Sequence, residues 1–134
     1  VKIYFAHPVT DYGTDRQAKA LASLRAHFVD DLGMRHFEIE NPDQPHHQAG
    51  YEAGGMEYFR DIVDACWSLA FMRFPDGSVG AGVGREIGWA LRNDKMLYEV
   101  FDGRVYPTHY KPTPILTVEE TRETIARYRP TAAP

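Results

Sequence analysis

A single cysteine, Cys66, stands among 134 residues. One thiol closes no intrachain disulfide and builds no cysteine-based metal site. A reducing, cytoplasmic compartment is therefore the expectation. The chain also lacks any run of basic residues, and its net charge is -4. That balance argues against a nucleic-acid polymer as partner, because phosphates are met by clustered cations. Long apolar runs are missing too. None approaches the ~20 residues that a membrane helix needs. The opening Val1-Lys2-Ile3-Tyr4-Phe5-Ala6 turns polar too soon for a secretory leader. No internal repeat or low-complexity tract divides the sequence, so one domain over residues 1–134 is expected. A chain of this length buries roughly two-thirds of its unfolded surface, enough for one core. The tail from Pro130 to Pro134 is expected to fray.

What the sequence has is alternation. Val1 to Ala6 is nearly continuous apolar sequence, as in a strand covered on both faces. Thr14 or Asp15 can cap a helix from Arg16 to Leu32, on which Ala20, Leu21, Leu24, Phe28 and Leu32 share a face. Gly33 is placed to end it. Phe37 to Glu40 reads as a second strand. Asn41 to Gly55, rich in Pro, Gly, His and Gln, reads as a long loop. A helix over Met56 to Cys66 carries the stripe Phe59, Ile62, Val63, Cys66. Strands follow at Ser68 to Phe74, Met96 to Val100 and Arg104 to Tyr106, with a helix between the first two from Val83 to Arg92. Thr117 and Glu120 have capping-box spacing and open a last helix reaching Tyr128. Strands alternating with helices imply an α/β chain. The expected fold is a flavodoxin-like three-layer sandwich with a four- to five-stranded parallel sheet. In such sheets ligands sit at the carboxyl ends of the strands. The loops His7–Gly13, Asn41–Gly55 and Pro75–Gly82 all reach that edge.

The third of these loops leads into Gly82-Val83-Gly84-Arg85-Glu86-Ile87-Gly88. Gly77, Gly80, Gly82 and Gly84 let the backbone turn tightly and approach a ligand. A helix start then offers free N–H groups and a positive dipole end. Glu86 is read into the first turn, near the edge of the face formed by Val83, Ile87, Ala90 and Leu91. There the dipole favours its charged form by ~0.3–1 kcal/mol. An ionised, positioned carboxylate is what attack on a sugar carbon requires. Spacing alone leaves a surface glutamate open as the other reading. A dinucleotide site is disfavoured, because G-x-G-x-x-G does not follow the first strand.

Together, Lys2-Ile3-Tyr4-Phe5-Ala6, Cys66-Trp67-Ser68-Leu69-Ala70-Phe71 and Gly82 to Gly88 resemble the nucleoside 2-deoxyribosyltransferase-like superfamily of deoxyribosyltransferases and nucleotide N-hydrolases. The resemblance spans roughly residues 1 to 100. It implies that Glu86 attacks C1′ and forms a glycosyl-enzyme, with Tyr4 beside it. It also implies a site completed by a neighbouring subunit of a homodimer or larger homo-oligomer. The chain departs from the family at Phe59 and Trp67, where an Asp is common, and at Gly80, where an Asp or Ser is common.

Departure of a base needs a proton donor. Asp76, in the loop before the glycines, is the first candidate, against an ordinary Asp-Gly turn. His7, Asp11 and His46 are candidate substrate contacts, with Gly80, Gly82 and Gly84 supplying close backbone. Arg16, Lys19 and Arg85 are candidates for a 5′-phosphate. Tyr51, Tyr58 and Trp89 are candidates for stacking or for an interface, and Trp89 falls off its helix's apolar stripe. Glu57, Asp61 and Asp64 read as a solvated face. His46 and His47 are neighbours whose side chains ordinarily diverge, so no shared metal is expected, and no cofactor. The expected reaction is cleavage of the N-glycosidic bond of a (deoxy)nucleoside or its 5′-monophosphate, with transfer of the sugar to another base. Transfer to water, or nucleotide binding without turnover, are the alternatives.

Overall fold

The computed structural model describes residues 1–129; the expected fraying from Pro130 onward lies outside them. Five strands form one sheet: β1 (Lys2–Ala6), β2 (Glu38–Glu40), β3 (Ser68–Phe71), β4 (Met96–Phe101) and β5 (Arg104–Thr108). Their order is β2-β1-β3-β4-β5. The first four run parallel. The expectation of a parallel sheet fails only at β5, which pairs antiparallel with β4. Local turn chemistry explains the reversal. Asp102 and Gly103 both take positive φ, 49° and 74°, the geometry of a two-residue hairpin turn.

Helices cover both faces, as the flavodoxin-like reading requires. α1 (Asp15–Arg25), α2 (Pro45–Gly54), α3 (Glu57–Ala65), α4 (Ala81–Arg92) and α5 (Val118–Tyr128) are the α-helical elements. Alternation along the buried strands splits the core in two. Tyr4, Ala6, Leu69, Phe71 and Leu97 pack with Phe59 and Val63 of α3 and with Val83, Ile87 and Ala90 of α4. Ile3, Phe5, Ala70, Met72, Tyr98 and Val100 pack on the other side with Ala20 and Leu24 of α1 and with Phe28 beyond it. Each large side chain taken from water on these faces contributes about 1.5–3 kcal/mol.

Several boundaries differ from expectation. The first helix leaves α-geometry at Ala26, and Ala26–Asp31 winds as a π-helix. Leu32 N–H there reaches back five residues to the His27 carbonyl at 3.1 Å. The stretch read as a loop holds α2. Pro45 stands at its start and Gly55, at φ 63°, ends it, a proline-in, glycine-out pattern with a clear physical basis. β3 stops at Phe71 rather than Phe74, which frees Met72 to Phe74 to shape the strand end. No helix among the described residues is long and apolar enough to cross a membrane.

Candidate functional site

Parallel strands β1 and β3 are neighbours in the sheet but their crossovers leave in opposite directions, so a crevice opens beyond their carboxyl ends. A cavity of about 590 Å³ lies there. Its size falls in the ~300–1,000 Å³ range of ligand pockets. His7, Pro8, Val9 and Tyr12 line it from the end of β1, and Gly80 to Val83 and Glu86 from α4. Met56 and Phe59 come from the α3 side and Gln48 and Tyr51 from α2.

Glu86 is only 6% exposed. It is the sixth residue of α4, in the second turn, because the helix starts at Ala81 rather than Val83. The dipole of the first turn therefore contributes less than the sequence reading assigns it. Burial dominates instead. It pushes the carboxyl from 4.5 up to about 8, and only a hydrogen bond from Tyr4 opposes the shift. The Tyr4 hydroxyl donates to Glu86 Oε2 across the interface of β1 and α4. Burial and the facing carboxyl raise the Tyr4 phenol far above its ordinary value, so it remains the donor of the pair. Tyr12 is raised by burial first and then by Glu86. Glu86 is the only carboxyl lining the cavity among the described residues.

The other expected residues divide. His7 does line the cavity and is buried. Its ring stacks on Phe5 at 4.1 Å, and its Nε2 lies 2.6 Å from Gln17 Oε1. Gln17 in turn donates to Asp43 at 2.9 Å. Desolvation lowers the imidazole's pKa. Gly80 and Gly82 line the cavity. Gly84 does not; a Cβ there would lie 2.7 Å from Ile115 Cγ2, so this glycine serves close packing of α4 on the chain before α5. Asp11 is buried but turned to Arg16, with Nη1 at 2.5 Å from its carboxylate. Asp76 is exposed and accepts from the Ser78 hydroxyl and N–H at 2.6 and 2.9 Å. Those donors hold its carboxyl below the usual range. It lies outside the cavity lining, so the structure does not bring the expected proton donor to Glu86; its carboxylate is engaged by Ser78 within the turn.

Arg16 and Lys19 line a different cavity, of about 450 Å³, with Arg73 and Glu99. Arg85 is exposed. None of the three cations expected at a phosphate reaches Glu86's cavity; Arg122 and Arg129 line it instead. Trp89 is 5% exposed and sits in the core with Cys66 and Val63, which removes it from any interface. Glu57, Asp61 and Asp64 are exposed, as read.

His46 does not line the cavity. It is exposed at the start of α2. Its ring meets that of buried His47 at 3.9 Å, tilted 42°, contrary to the expected divergence. With Glu40 at the end of β2 they form, among the described residues, a group whose ligand atoms are close enough to share a cation.

The α5 wall is absent from the residues expected from the sequence. Val118, Thr121, Arg122, Ile125 and Arg129 line the cavity and recur at three- and four-residue spacing, the stripe of one helical face. Their position follows from a pairing that spacing does not reveal. Val79 bridges Ile115 in parallel fashion, with hydrogen bonds of 3.0 and 2.8 Å through Pro114 and Leu116. That pairing ties the start of α5 to the glycine-rich loop. Comparison with family models, curated proteins and solved structures finds no match.

Proposed function

We propose that this chain cleaves the N-glycosidic bond of a (deoxy)nucleoside or its 5′-monophosphate, with Glu86 as nucleophile. One observation carries the reading: a single carboxyl, buried and hydrogen-bonded by Tyr4, faces a ligand-sized cavity at the switch point of the sheet. The resemblance of Gly82 to Gly88 to the deoxyribosyltransferase-like superfamily supports the same assignment. Glu86, once ionised, attacks C1′ as the C1′–N bond breaks, and the bond pair leaves with the base. The departing nitrogen takes its proton from solvent that enters with the substrate. A second base then displaces Glu86 from C1′; water in that role makes the chain an N-hydrolase. Tyr12, Tyr51 and Phe59 offer rings on which a base can stack, and Arg122 and Arg129 offer charge to a phosphate. A homo-oligomer belongs to the same proposal.

Binding without turnover is the second reading. It is favoured by the raised Glu86 pKa and by the lack of a second carboxyl in the described lining. A panel of nucleosides and 5′-monophosphates, with and without an added free base, separates the readings by chromatography. Base release or exchange that is lost in Glu86→Gln supports the enzyme. Full activity in Glu86→Gln overturns it, and tight binding with no turnover leaves the binding module.

A further inference from the structure

The junction of β2 and α2 carries a second constellation, separate from the Glu86 cavity. Glu40, His46 and His47 each offer a ligand atom, and these atoms lie within 4.8 Å of one another. None of the three lines the Glu86 cavity. His47 is 4% exposed and is held from both sides. Its Nε2 contacts Glu40 Oε1, and its Nδ1 lies 3.0 Å from the Tyr58 hydroxyl. Tyr58 is itself fixed, since its ring packs so closely on Gly50 that a Cβ there would lie 2.2 Å away.

We propose that Glu40, His46 and His47 bind one divalent transition-metal ion of the zinc type. Two imidazoles and one carboxylate are a donor set for a borderline ion. Calcium and magnesium take oxygen ligands and are poorly served by it. Three protein ligands leave a fourth position for water. The surroundings of His47 suit the role. A neutral imidazole carries one proton. With that proton on Nδ1, donated to the Tyr58 oxygen, the Nε2 lone pair faces Glu40 and is placed to bind the cation. Metal-bound histidines are characteristically oriented in this way through their other nitrogen. To admit the ion, the Glu40–His47 contact opens to the ~3.3 Å that separates two ligands around a tetrahedral centre with bonds of about 2.0–2.1 Å. His46 is exposed and free to follow. Lys2 competes mildly: its Nζ lies 3.6 Å from Glu40, but at the other oxygen, Oε2. The ion would tie the amino end of α2 to β2. Gln48 and Tyr51, on the same helix, line the Glu86 cavity, so the metal braces one of its walls.

The full chain, stripped with chelator, is titrated with zinc chloride by calorimetry, and cobalt(II) serves as a spectroscopic probe. The expected result is one equivalent of zinc per chain and cobalt bands of a low-coordinate site with nitrogen ligands. His46→Ala, which removes an exposed ring and leaves the fold intact by circular dichroism, weakens zinc binding at least ~10-fold, and Glu40→Gln does the same. Tyr58→Phe, a positioning change, weakens it by about 10-fold. His36→Ala and His109→Ala leave it unchanged. Non-saturable uptake, or wild-type affinity in His46→Ala, overturns the site, and neither result depends on whether the chain turns over nucleosides.

Discussion

Burial raises the Glu86 pKa because the charged form loses its water, and the Tyr4 hydroxyl restores only part of that loss. Two consequences follow at this residue. The folded carboxyl holds its proton up to about pH 8, whereas the unfolded chain releases it near 4.5. Below the lower value both states are protonated and nothing is lost. Between the two values only the unfolded state deprotonates, so stability falls as pH rises, and above the upper value the penalty levels off. At about 1.4 kcal/mol per pH unit the loss amounts to several kcal/mol. Urea midpoints of the wild type should therefore fall from pH 5 to pH 8, and those of Glu86→Gln should fall less. Parallel slopes would show that Glu86 is not the buried acid. The proposed reaction has the opposite dependence. A nucleophile must be ionised, so base release should climb towards pH 8. Tyr4→Phe removes the one group favouring the carboxylate. Its pH profile should shift to higher pH and its rate at pH 7 should fall at least tenfold, since a hydrogen bond to a charged group contributes ~1.5–3 kcal/mol. An unmoved profile would sink the assigned role of Tyr4.

At the scale of elements, α4 is held by its neighbours rather than by its own cap. Gly80 at its N-cap has no side chain to cap with. The Ala81 N–H is instead accepted by Thr121 Oγ1 of α5 at 2.8 Å. Thr121→Val should cost about 0.5–2 kcal/mol, the usual worth of a cap, measured by chemical denaturation. No loss of stability would mean that water replaces this contact without penalty. Gly84 presents a conflict that magnitudes decide. Alanine there gains up to ~1 kcal/mol in helix propensity. Its Cβ would lie 2.7 Å from Ile115, and overpacking costs about 1–3 kcal/mol. Gly84→Ala should be net destabilising, and should cost less in a chain that already carries Ile115→Ala. Stabilisation by Gly84→Ala alone would refute the close packing.

For the whole molecule, the cavity exists because segments distant in sequence converge on one sheet edge. Residues 7–12, 42–59, 74–86 and 118–129 all contribute to its lining. A chain ending before Thr117 should keep the sheet, which is built from residues 2–108, yet lose, with the α5 wall, the nucleotide binding that the proposed function requires. Far-UV circular dichroism and equilibrium binding test this together. Retained affinity would mean that α5 is only a cover.

The local patterns that one residue imposes on its neighbours were legible in the chain itself. Apolar periodicity marked the strands and the faces of α3 and α4. The Thr117–Glu120 box marked the start of α5, where both reciprocal bonds form. The glycine-rich approach drew attention to Glu86, and the family resemblance of Gly82 to Gly88 assigned it a role. Proline at the entry and glycine at the exit of α2 were equally local signals, obscured by a composition that resembles a loop. Tertiary structure alone decided the rest. Burial of Glu86, the turning of Asp11 to Arg16, the capture of Asp76 by Ser78 and the meeting of His46 with His47 depend on which atoms lie within a few ångströms. Trp89 shows the same limit: off the stripe of its own helix, it is buried in the core cluster to which α3 contributes. Periodicity specifies which face of an element is apolar, but a side chain's solvation and charge are set by the neighbours that other segments bring to it.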